Sequence, residues 1–142
     1  MMSPEKKPEV VLVPCSGIGK AFGSISREAA YLVTEELRPD RSRNLCLALL
    51  TLGDEEARRL VREHPTIPID GCPKACARVN VEASGGTPAV TFRVFDVFRQ
   101  HKELKAEGVS DIGEAGHEMA RILAGEIARA IDGLDAEGAK DA

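Results

Sequence analysis

Val10-Val11-Leu12-Val13 is an unbroken apolar, β-branched run in an otherwise polar neighbourhood. A strand that shows apolar side chains on both faces must be covered on both faces, which is the signature of a parallel sheet inside an α/β domain rather than a half-wet antiparallel one. The rest of the chain keeps to that plan. A small-residue loop, Pro14-Cys15-Ser16-Gly17-Ile18-Gly19, follows the run. A helix is then expected from an N-cap at Ser24, with Ile25, Ala29, Leu32, Val33 and Leu37 at helical spacing.

Arg38-Pro39-Asp40 breaks that helix, and Asn44 to Leu52 reads as a second apolar strand containing Cys46. Asp54 opens an amphipathic helix that turns Ala57, Leu60 and Val61 inward and stops before Pro65. Thr66-Ile67-Pro68-Ile69 reads as a third strand, whose proline suggests an edge or a strand start. The next helix is expected from about Pro73 to the Ser84-Gly85-Gly86 stop. Ala89 to Phe95 alternates like a fourth strand, and Asp111 with Glu114 suggests a capping box for a last helix carrying Ile112, Ala115, Met119, Ile122, Ile127, Ala130 and Ile131.

The expectation is therefore one three-layer α/β domain over residues 1–132 with a mostly parallel, about four-stranded sheet, Rossmann-like or flavodoxin-like, and a frayed tail over 133–142. In such sheets ligands bind outside the carboxyl ends of the strands. A chain of 142 residues can bury an adequate core without covalent staples.

The net charge of -4 argues against a nucleic-acid or anionic-membrane surface, and the Arg38, Arg41, Arg43 group reads as a solvated loop. No stretch approaches the ~20 apolar residues of a membrane span, and no secretory signal is visible, so a cytoplasmic location is expected. In that compartment clustered thiols are more often metal sites or reactive groups than disulfides.

The chain has four cysteines, Cys15, Cys46, Cys72 and Cys76. Cys15 follows the first expected strand and Cys72 the third, so both fall on the ligand edge, and all four converge if the second strand ends at Cys46. With Pro73 opening a helix, Cys72 would lie at its N-cap and Cys76 in its first turn, where unpaired N–H groups favour thiolates. Four thiolates suit tetrahedral zinc or an iron–sulfur cluster. Two further readings stand beside this one: Cys46, between leucines, as a small buried hydrophobe, and Cys72 or Cys76 as a reactive thiolate resolved by Cys15.

Cys15-Ser16-Gly17 at a strand end, Ser24 to Ala30 opening a helix, and Ile69-Asp70-Gly71-Cys72-Pro73 followed by Cys76-Ala77 resemble the DGC-domain family, named for its Asp-Gly-Cys triplet. That family is described as zinc-binding through four cysteines and has no assigned activity. The resemblance implies Cys15, Cys46, Cys72 and Cys76 as the metal ligands. One departure is the Leu47-Ala48-Leu49-Leu50 stretch, where family members tend to be glycine-rich after the second cysteine. The residues expected to support a bound group are Ser16, Gly17 and Gly19, through backbone N–H bonds to sulfur, and Asp70 and Gly71 at the turn. A metal ion is the partner this reading names; neither nucleic acid nor a membrane is expected, and the sequence names no protein partner.

Two other signals fail on inspection. A phosphate loop at Gly17-Ile18-Gly19-Lys20 would need glycine at 14 and serine or threonine at 21, where the chain has Pro14 and Ala21. A phosphatase role for Cys15 would need an arginine closing the loop, and the nearest is Arg27. His64, His101 and His117 share no short motif with a cysteine; they read as a helix-end residue, a solvated residue and a boundary residue beside the apolar stripe of the last helix.

Overall fold

The computed structural model describes residues 9–15, 21–71, 74–106, 108 and 111–141. Four strands, β1 (Val10–Pro14), β2 (Ser42–Asn44), β3 (Thr66–Asp70) and β4 (Phe92–Arg93), form one sheet in the order β2-β1-β3-β4. Every pairing is parallel, with Leu12 opposite Asn44 on one side and Ile67 on the other. The helices are α1 (Ala21–Leu32), continued by a π-helical turn (Val33–Leu37), α2 (Leu47–Leu52), α3 (Glu55–Glu63), α4 (Cys76–Ala83), α5 (Val94–Gln100) and α6 (Gly113–Asp141).

The first strand shows why the sheet is covered twice. Val10 and Leu12 enter one apolar cluster with α1, α5 and α6, while Val11 and Val13 enter another with α2, α3 and α4. All four are essentially inaccessible to solvent. The chain steps from β1 to β2 in one direction and from β2 through β3 to β4 in the other. Right-handed crossovers then require α1 on one face and α2 to α4 on the opposite one. The change of direction falls between β1 and β3, so the connections leaving their carboxyl ends part to opposite faces and open a crevice there.

Several expected boundaries move. The first helix begins at Ala21, so Ser24 lies inside its first turn and accepts from Arg27 Nη2 at 3.2 Å instead of capping it. The second strand ends at Asn44, and the following leucines form α2, with Leu47 and Leu50 buried and Leu52 exposed. An apolar run of that length fits either a buried strand or a short helix, and the left-handed Gly53 at the C-cap, with its N–H on Leu50 O, closes the helical option.

Pro68 is not on an edge strand, because β3 lies between β1 and β4. Thr66 O accepts the Ala89 N–H from the β4 side, whereas Pro65 O and Ile69 O accept from Val11 and Cys15 on the β1 side. Alternation along a parallel strand thus turns the missing N–H of Pro68 toward β4. There the ladder is interrupted between the Thr66–Pro88 bridge and the Ile69–Phe92 pair.

The fourth strand is only Phe92–Arg93, and Val94 opens α5. Val90, Phe92 and Val94 mimic period two, but Val94, Val97 and Phe98 repeat at helical spacing, with Val94 and Val97 buried and the Phe98 ring packed at a tilt against Phe22. The last helix starts at Gly113, not at Asp111; the Asp111 carboxylate accepts the Gly113 N–H at 3.0 Å, a local turn in place of the expected box. Its buried stripe is Met119, Ala120, Leu123, Ala124, Ile127, Ala128 and Ile131, with Ile112 buried just before it; Ile122 is only partly covered. Among the described residues no helix is long and apolar enough to cross a membrane.

Candidate metal centre at the carboxyl edge of the sheet

Cys15 directly follows β1 and is buried. Its N–H donates to Ile69 O at 2.8 Å, carrying the β1–β3 ladder one residue further. Its carbonyl accepts from Ser26 Oγ at 3.3 Å and from Arg27 Nη1 at 3.4 Å, so α1 holds the strand end from behind.

Cys46 is the N-cap residue of α2, two positions beyond β2, and its side chain is exposed. Cys76 is the first residue of α4 and packs against the apolar cluster of its face. These two helices lie side by side, since Thr51 Oγ1 meets Asn80 Oδ1 at 3.4 Å. Thr51 stands five residues after Cys46 and Asn80 four after Cys76. Each helix starts just beyond the carboxyl end of a strand, β2 for α2 and β3 for α4, which puts Cys46 and Cys76 on the same edge of the sheet.

Asp70, Gly71 and α4 form one construction. The helix was expected from Pro73 with Cys72 at its N-cap, but it begins at Cys76 after Ala75, whose φ of 53° is the only positive value of a non-glycine among the described residues. The capping comes from Asp70 instead: Oδ1 accepts the Ala77 N–H at 2.7 Å and Oδ2 the Arg78 N–H at 3.2 Å. Burial raises the Asp70 pKa above its ordinary 3.8, against the opposing pull of those two N–H groups and of the Arg78 charge. The Asp70 carboxylate thus serves the helix start.

Gly71 answers a different need. A Cβ there would stand 2.8 Å from Gly23 N and from Phe22 C and O, all backbone atoms at the start of α1. Only glycine lets the β3 end press so closely on that helix.

Cys72, Ser16, Gly17 and Gly19 lie outside the described residues. Among the described residues no three or more His, Cys, Asp or Glu side chains are gathered closely enough to hold a metal. The donor chemistry fits zinc or another thiophilic ion, and the three described cysteines are fixed by three different elements along one edge.

Sequence reasoning missed the residues around Cys46. A cavity of about 280 Å³ there is lined in part by Arg27, Tyr31, Asn44 and Cys46. Both polar atoms of the Asn44 carboxamide are buried without a partner among the described residues. A polar residue closing a strand at the ligand edge is the one signal that could have found it. It also missed the contact of His117 Nδ1 with Glu28 Oε2 at 2.6 Å, which ties α6 to α1 across 89 residues of sequence and leaves no local pattern.

Fold and edge together define a small doubly wound α/β domain with thiols at its ligand end. The DGC domain profile matches residues 11–124, which include all four cysteines, and the chain belongs to the DGC domain family. No curated protein and no solved structure matches it.

Proposed function

We propose that the domain holds one zinc ion through the thiolates of Cys15, Cys46, Cys72 and Cys76 and that it serves in metal handling or sensing. The observation that carries this reading is the arrival of Cys15, Cys46 and Cys76 at one sheet edge from β1, α2 and α4. Asp70 and Gly71 support it by anchoring the two ends of the segment that contains Cys72. Ser16, Gly17 and Gly19 follow Cys15 in the chain and would donate backbone N–H bonds to the sulfurs.

A zinc ion with four permanent thiolates has no open coordination position, so the site would not act as a Lewis acid. The apolar clusters on both faces supply a core without a metal, which argues for a role beyond bracing the fold. Loading with cobalt(II) tests the ligand set, because sulfur-to-cobalt charge transfer reports the number of thiolates. Four are expected, with a stepwise loss in each single cysteine-to-serine variant; a spectrum unchanged by all four substitutions would exclude the site.

A second reading is thiol redox chemistry at Cys72 and Cys76, or an iron–sulfur cluster on the same cysteines; the exposure of Cys46 favours its redox form, which does not need that thiol. Brown colour after anaerobic purification distinguishes the cluster. Rapid alkylation of one thiol in metal-free protein distinguishes the redox protein.

A further inference from the structure

At the carboxyl ends of β3 and β4, across the sheet from Cys46, lies a cavity of about 370 Å³ lined by Asp70, Ala75, Arg78, Thr91, Arg93 and Asp96. We propose that it binds a small organic oxyanion, a carboxylate or a phosphate monoester, gripped by the guanidinium groups of Arg78 and Arg93 and the hydroxyl of Thr91. Its position is the first argument. Arg93 ends β4, Asp70 ends β3, and Ala75 and Arg78 belong to the start of α4, so the cavity occupies the edge where doubly wound sheets take their ligands. Its volume is that of a small-molecule site.

The state of the polar groups is the second argument. The backbone N–H of Arg78 is spent on Asp70, but its exposed guanidinium makes no hydrogen bond to another described residue. The Thr91 side chain is likewise exposed and makes none. Both carboxylates of the lining are already engaged. Asp70 accepts from the Ala77 and Arg78 N–H groups, and Asp96 accepts from Arg93 Nη2 at 3.1 Å and Nε at 3.3 Å.

What the cavity offers an incoming ligand is therefore donors, which suits an oxyanion and not a cation. Two arginines and two aspartates leave little net charge, so recognition depends on the fork geometry of the Arg78 guanidinium against the oxyanion more than on long-range attraction, with Arg93 adding the N–H groups that Asp96 does not take. Cys76 adjoins Ala75, which sets a bound oxyanion beside the cysteine segment. The inference does not depend on a metal being there.

The test is calorimetric titration of the full-length protein with inorganic phosphate and with malonate, before and after chelator treatment. Saturable binding of at least one probe is expected in both states, and the probe that binds identifies the phosphate or the carboxylate source. Arg78→Ala and Arg93→Ala should each weaken it about tenfold or more, the loss of one charged hydrogen bond. Arg59→Ala, exposed on α3, should leave it unchanged. Both cavity arginines are exposed, so the unfolding temperatures of the variants should match the parent. Failure of both probes to saturate, or an equal loss in Arg59→Ala, would overturn the proposal while leaving the metal reading untouched.

Discussion

Asp70 is 2 % exposed, yet it sits where two backbone N–H groups at the start of α4 need an acceptor, and this exchange makes its burial tolerable. Asp70→Asn puts an NH₂ group against one of those donors and should lower stability by about 1–3 kcal/mol in urea unfolding, with the loss confined to α4 in hydrogen exchange. Gly71→Ala forces a methyl into the backbone of Phe22 and Gly23 and should cost about 1–3 kcal/mol. An unchanged urea midpoint in that variant would mean that β3 and α1 are not in close contact.

At this scale the sequence was partly legible. The Asp-Gly pair after an apolar run marked a turn before a helix. That the carboxylate reaches residues seven and eight positions on was hidden, because such a cap depends on how the strand end and the helix face each other in space. Its consequence was the misplaced helix start, which lies at Cys76 and not at Pro73.

Among the elements, α1 and α6 are joined on their polar sides by His117 and Glu28. The hydrogen bond to Glu28 is the main cause of a raised His117 pKa, with Asp111 and Glu114 pushing the same way. The folded protein then keeps this proton to a higher pH than the unfolded chain does. The pair's contribution to stability is full below 6.5 and is lost as the pH rises through the raised folded value. Glu28→Gln should remove most of that slope from a plot of unfolding midpoint against pH, and an unaltered slope would assign it to another group.

Element type was readable where the pattern was long or its ends were marked, as for β1, α3 with its Asp54 cap on the Ala57 N–H, and α6. It failed where a short apolar stretch fits two periods, as in Leu47–Leu52 and Val94–Gln100. The α2 error bears on the site, since it moved Cys46 from inside a strand to the exposed start of a helix.

For the whole molecule, the alternation of Val10, Leu12 against Val11, Val13 already implied two covered faces, and the sheet order follows from crossovers of one hand. Leu123→Ala on α6 should cost about 2–5 kcal/mol, measured by urea unfolding, because its site is closed on all sides. Removing a metal should cost the two apolar clusters little, so chelated protein should keep its far-ultraviolet dichroism. Complete unfolding on chelation would make the metal a structural staple and not a handled ligand.

The most direct test is elemental mass spectrometry of protein purified anaerobically without chelator or added metal, on the parent chain and on Cys72→Ser and Cys76→Ser. The account predicts about one zinc per parent chain, as a single four-thiolate site requires, and its loss from both variants with the fold retained. A parent chain with no stoichiometric metal, or zinc that survives both substitutions, would contradict it.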